Sequence, residues 1–361
     1  MFRRCVLTLC FAQLISLFAL TSLYAGQESV RVSGFVRAAG AAVLGDGPDY
    51  LGRIDRDGDA GETEFGVNLY ADLGQGYVVV GQLWGGGVEA EPANGNGPPV
   101  ERYKMVIDWA FITRHFGDAV SLSAGKMKYP NLLVSEYVDV GLAYPWVRPP
   151  EEMYNFETDG PYLSLESFEG ASFNYTRPLA DAEFHLQAYT GQSIVEDGQL
   201  ERMMGMKIAL QADNYRFQVA HNRHLMDTVG LERGALQGET ASITSVGMSA
   251  DMANIVLYAE YATSIAGDAR VSAYYATMGY QYHKWLPHIT LADVENTEGW
   301  GQSSLTAGLK FQLIPAAALK IEFKNIAPHV TEEPDESGGF FNSGLASDNA
   351  SIISTSIDVV F

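Results

Sequence analysis

The sequence predicts an all-β fold, a transmembrane antiparallel β-barrel of about 16 strands with short turns at one end and long loops at the other. Apolar and polar residues alternate with period two in segment after segment. The connections between these segments alternate between tight and long along the chain. The last segment sets Phe361, Val359, Ile357, Thr355 and Ile353 on one face, and it ends on its aromatic residue.

Residues 1–25 read as an export signal, because Arg3 and Arg4 precede the apolar stretch 6–23 and small Ala25 and Gly26 follow it. The barrel is then expected to occupy 26–361. Cys5 and Cys10 both fall in the leader, so the mature chain is expected to hold no thiol, disulfide framework or thiolate metal site. Loss of Arg3 and Arg4 takes the formal charge from −21 to −23, two positive charges fewer. Such a field repels nucleic acid, which is excluded as a partner. No later apolar run approaches the ~18 residues of a helical span, so a membrane would be crossed by strands.

In chain order, strands are expected near 28–40, 62–73, 76–85, 103–116, 119–128, 161–176, 181–191 and 203–212. The second half supplies 214–223, 242–251, 253–264, 270–282, 284–294, 302–312, 316–327 and 351–361. In the second strand, Phe65, Val67, Leu69 and Ala71 share one face against Glu64, Asn68, Tyr70 and Asp72. The seventh repeats the pattern, with Phe184, Leu186 and Ala188 set against Glu183, His185, Gln187 and Tyr189. Tight turns follow the even-numbered strands, as in LGQG, FGD, PLAD, ADNY, ADMAN, YHKW and LIPAA. Polar or Gly-rich loops at 41–61, 86–102, 129–160, 225–240 and 326–350 follow odd-numbered ones. A soluble sandwich or propeller would also show many short strands. Against it, Trp84, Trp109, Phe111, Tyr258, Tyr261 and Trp285 recur near predicted strand ends, where an aromatic belt would sit. The ~40–45-residue repeat of a propeller is also missing.

Motifs for catalysis are mostly absent: there is no Gly-x-Ser-x-Gly elbow, no phosphate-cradling loop and no His-Glu-x-x-His, and no cofactor is expected. His221 and His224 in HNRH stand three apart, so on a strand they point to opposite faces and make a poor metal pair. Asp55, Asp57 and Asp59 have the alternate spacing of oxygen ligands, which makes them a weak divalent-cation candidate. Ala60 and Gly66, however, occupy the positions where an EF-hand needs Gly and Glu. The most distinctive segment is 125–160, GKMKYPNLLVSEYVDVGLAYPWVRPPEEMYNFETDG. Its prolines stiffen a long aromatic and charged loop, so it is expected to pack against something.

A strand ending in GKMKYP, followed by a loop containing AYPWVRPPEEMY, resembles the Gram-negative outer-membrane porins, including phosphate-selective-porin-like chains. The terminal strand, with Phe361, Val359 and Ile357, is similar to the signal that the barrel assembly machinery reads. The resemblance implies sixteen strands, a third long loop folded into the lumen, and a homotrimer in the outer membrane among lipid and lipopolysaccharide. It also implies that Glu136, Asp139, Glu151 and Glu152, with Arg148, stand on the loop at the constriction. Arg31 and Arg37, and then Lys126 and Lys128, are the candidates for a basic facing wall. Rings of Arg or Lys make an anion-specific pore. Here acids outnumber bases by 44 to 23, and stretches such as TEEPDES and DVENTE are acidic. The expected function is passive diffusion of small hydrophilic solutes, cation-leaning or weakly selective. The acidic outer loops have a second reading, as holders of divalent cations shared with lipopolysaccharide. The rival functions are a non-conducting barrel that binds a surface partner and a barrel lipid hydrolase, the latter needing a Ser–His pair to which no spacing points.

Overall fold

The computed structural model describes residues 29–45, 49–51, 54–90, 100–155, 163–195, 198–228, 236–329, 339–341 and 349–361. The expected leader at 1–25, with its two cysteines, and the acidic stretch 331–337 lie outside the described residues. The strands are β1 (Val30–Leu44), β2 (Asp59–Gly74), β3 (Tyr77–Ala90), β4 (Val100–Phe116), β5 (Val120–Lys128), β6 (Ser167–Leu179), β7 (Ala182–Val195) and β8 (Gly198–Gln211). They continue with β9 (Tyr215–Thr228), β10 (Thr240–Met252), β11 (Ile255–Ala266), β12 (Ala269–Tyr280), β13 (Trp285–Asn296), β14 (Gly301–Ile314), β15 (Ala317–Pro328) and β16 (Ala350–Val360).

Each strand pairs with its sequence neighbours, and β16 returns to β1, so the sheet closes as one antiparallel barrel. Closure leaves no edge among the sixteen strands, the condition a sheet must meet to lie in hydrocarbon. The closing ladder runs from Phe35 opposite Val360 to Leu44 opposite Ser351. Phe361 extends it, since its N–H donates to Gly34 O at 3.0 Å and its carbonyl accepts from Gly34 N at 2.9 Å.

Period-two alternation sorts each strand into an apolar outer face and a mostly polar inner one. On β15, Leu319, Ile321 and Phe323 are 41–48% exposed on the outside, whereas Lys320, Glu322 and Lys324 are buried inside. On β16, Ile353, Ile357 and Phe361 face out, and Ser354, Ser356 and Asp358 face in.

Three differences from the sequence reading have physical causes. Most strands run further than the apolar alternation suggested, because the hydrogen-bonded ladder continues through polar stretches such as the start of β2. β6 begins at Ser167 rather than 161, since Leu163 and Leu165 turn inward and are buried in the barrel. The aromatic belt is also composed differently. Trp84, Trp109, Phe111 and Tyr258 face the interior, where Trp84 donates to Glu64 and Tyr258 meets Trp146 edge-on. Trp285 and Tyr261 do face out, and Tyr77, Phe116, Tyr215 and Tyr282 join Trp285 near the short turns.

The buried core lies inside the barrel. One cluster joins Tyr50, Trp146, Tyr154, Tyr275 and Phe341, and a second joins Tyr129, Phe168, Tyr189, Met203 and Met226. Tyr50 and Phe341 belong to the loops after β1 and β15, which meet as a β-bridge.

Candidate functional site: a loop seated in the lumen

The described part of the connection from β5 to β6 that spans residues 129–155, here called L3, lies inside the barrel. Its sequence supplies the turns: Ser135–Tyr137 and Gly141–Ala143 form 3-10 turns, and Pro149 and Pro150 lead into the short helix α1 (Glu151–Tyr154). Proline before and at the N-cap fixes an extended entry, after which the carbonyl of Pro150 accepts from the N–H groups of Met153 and Tyr154.

Three sets of contacts seat this loop. Lys320 of β15 donates to the carbonyls of Gly141 at 2.5 Å and Trp146 at 2.6 Å, and it pairs with Asp358 of β16 at 3.1 Å. Lys310 of β14 adds the carbonyls of Leu142 at 2.6 Å and Tyr144 at 3.2 Å, so two ammonium groups satisfy four loop carbonyls. Gly141 is required at this seat, because a Cβ there would fall 2.0 Å from Asp358 Oδ1. Trp146 is buried and donates through Nε1 to the hydroxyls of Thr277 and Thr290, both at 3.0 Å, with Tyr258 and Tyr275 against its ring. At the entry, Leu133 N donates to Glu260 at 2.7 Å, and the Tyr154 hydroxyl donates to the other oxygen of Glu260 at 2.6 Å.

The turn at Ser135–Tyr137 carries Glu136 to the wall formed by β8 and β9. Glu136 stands 3.1 Å from Lys207 of β8 and 3.5 Å from Arg216 of β9. Lys207 first, then Arg216, hold the Glu136 carboxyl below the usual carboxylate range. That contact is therefore complete above the ordinary carboxylate range and is lost only as pH falls through the lowered value. Asp139 pairs with Lys128 at 2.8 Å, and Lys128 also meets Asp108 at 3.0 Å. Arg148 reaches Glu62 at 2.6 Å and Ser354 at 3.1 Å. Glu151 and Glu152 share Lys324, at 2.5 and 3.0 Å, and Gln302 donates to Glu152 at 2.7 Å. Arg37 donates to the carbonyl of Val147 and to the Tyr144 hydroxyl, with Glu64 at 3.4 Å and Asp358 at 3.8 Å.

Two of the expected wall residues stand elsewhere. Arg31 shares inward parity with Arg37 but precedes it by six residues, or about 20 Å along the strand. It lies exposed near the short turns, over the Tyr70 ring at 4.5 Å. Lys126 keeps the outward parity of Leu122 and donates to the carbonyl of Ile107 at 3.0 Å. His221 is exposed on the outer face and His224 is buried on the inner one, bonded to Asn222 at 2.8 Å. Asp55 accepts from Gly58 N at 2.9 Å within its turn.

Lys207, Arg216, Lys310, Lys320, Lys324 and Asp358 escaped the sequence reading. The signal for the β15 lysines was present, since Lys320 and Lys324 alternate with outward Leu319, Ile321 and Phe323. Asp108 was hidden by a bulge: Gln82 pairs with Trp109 and Leu83 with Ile107, which leaves Asp108 as the extra residue, turned inward.

The L3 seat leaves a cavity of about 20 Å³ between Trp146, Arg148, Glu151 and the β13 to β16 wall. A larger one, about 260 Å³, lies beside Glu136, Lys207 and Arg216.

No family model and no curated protein matches the chain by sequence. Solved structures do match. An anion-selective porin from Comamonas acidovorans superposes with a TM-score of 0.62 at 14% identity, covering 92% of this chain and 99% of that one. The outer membrane channel DcaP of Acinetobacter baumannii gives 0.59 at 12% identity, with 92% and 97% covered. Salmonella typhi OmpF, solved in complex with daunomycin, gives 0.59 at 13%, again with 92% and 97% covered. From the closed sixteen-stranded ladder and these superpositions together, the chain has the barrel fold of the outer-membrane porins.

Proposed function

We propose that this protein is an outer-membrane diffusion channel for small hydrophilic solutes, weakly selective with a lean toward cations. It catalyses no reaction in this reading. The observation that carries it is L3 seated inside the barrel, with charged residues facing a charged wall. Size exclusion acts where the loop narrows the lumen, and the field between loop and wall orders water and polar solutes there. The lean rests on the overall excess of acids, with Asp139 of the loop and Glu64 of β2 among those inside the barrel. Export through the leader at 1–25, recognition of Phe361, Val359 and Ile357 by the assembly machinery, and a homotrimer among lipid and lipopolysaccharide complete the proposal.

The test is a recording from the refolded protein in a planar bilayer under a KCl gradient. Stepwise conductance with a cation-preferring reversal potential is expected, and Asp139→Asn with Glu64→Gln should move that potential toward zero. Steps with anion preference would keep the channel and remove the lean. A folded barrel without steps would overturn the channel and favour a surface-binding role.

A further inference from the structure

We infer that the fork formed by Lys207 and Arg216 is a binding site for the carboxylate of a small polyhydroxylated organic acid, occupied in this structure by the loop's own Glu136. The inference deepens the channel reading and rests on it for the route by which a solute reaches L3.

The two cations come from neighbouring strands, Lys207 from β8 and Arg216 from β9. They take separate oxygens of one carboxylate, Oε1 at 3.1 Å from Lys207 and Oε2 at 3.5 Å from Arg216. That is bridging recognition of a planar anion by two charged donors. Lys207 is only 7% exposed, so its charge is held in place and poorly hydrated, which favours an anion delivered to it. Arg216 keeps its Nε buried without a partner, one donor more than Glu136 satisfies.

Glu136, by contrast, is a replaceable occupant. Its side chain is 43% exposed and is carried on a 3-10 turn of three residues in the first third of the loop. Beside the fork lies the cavity of about 260 Å³, whose wall offers Asn174, Thr176, Gln187 and Gln211. Amides and a hydroxyl both donate and accept hydrogen bonds, the lining that suits hydroxyl groups on the solute. The chemistry matched is therefore one carboxylate for the fork and several hydroxyls for the cavity. In the tethered state Glu136 competes with the solute, because both need the same two cations.

The competition gives the test its direction. Sodium gluconate is titrated into the detergent-solubilised full chain by calorimetry, with sorbitol as the uncharged control, and the same solutes are added to single channels in a bilayer. Gluconate should bind and interrupt the current, while sorbitol should do neither. Glu136→Gln should tighten gluconate binding by about tenfold, and Lys207→Met and Arg216→Gln should each weaken it by about tenfold or more. If Glu136 served only to hold the loop, Glu136→Gln would leave affinity unchanged or lower it, and that result overturns the inference. So does a conducting channel in which gluconate and sorbitol behave alike, an outcome that leaves the channel reading standing. Absence of conductance overturns the channel reading instead, since binding is read separately in detergent.

Discussion

Replacing Lys320 by methionine is expected to release L3 from the β14 to β16 wall and to raise single-channel conductance, with frequent flicker between levels. Lys320 is buried, and it serves two loop carbonyls and Asp358 at once. Removing one partner of a buried pair costs about 3–5 kcal/mol, because the other charge stays buried and unpaired. Here the carbonyls of Gly141 and Trp146 lose a charged donor as well. The barrel should still fold, since β15 keeps its ladders to β14 and β16. A paired change, Lys320→Met with Asp358→Leu, removes both charges together and should recover part of the barrel's resistance to denaturant without restoring the loop seat. Unchanged conductance in Lys320→Met would show that the remaining contacts hold the loop without it.

Trp146→Ala is expected to have an effect of similar size by another route. The ring fills the space between Tyr144, Tyr258 and Tyr275, and truncating a fully buried aromatic costs about 3–5 kcal/mol. Few polar groups are orphaned, because the Thr277 and Thr290 hydroxyls lie 2.8 Å apart and bond each other. The loss is therefore mostly packing, and it falls on L3 rather than on the strands. Protease cleavage within L3 should accelerate strongly while the unfolding of the barrel shifts little. As a control, Tyr274→Ala, an exposed residue on the outer face of β12, should change neither.

The barrel was legible because each strand announces itself through period two, and because turn and loop lengths alternate. Those signals are local. The same alternation contained the inward lysines of β15, whose neighbours Leu319, Ile321 and Phe323 mark the opposite face. Parity sets the face but not the depth, which is why Arg31 and Arg37 looked equivalent and are not. Bulges defeat parity altogether, as at Asp108. The path of L3 was only partly legible. Its prolines and aromatics indicated a loop that packs, but its seat depends on residues such as Lys310, 168 positions from the carbonyl of Leu142 that it holds. Pairings at that separation leave no periodic trace. The charged residues of the loop could be named from the sequence, while most of the wall residues they pair with could not.

In the proposed channel the part of L3 that carries Asp139 lines a water-filled lumen, which thiol modification during single-channel recording of Asp139→Cys tests. With the proposed leader removed, no other cysteine remains in the sequence, so the reagent has a single target. A small, positively charged thiol reagent added to the bath should step the conductance down and move the reversal potential toward anions. No step, together with labelling of the same cysteine on intact cells by a reagent too bulky to enter a porin, would contradict the account by placing the loop outside the barrel.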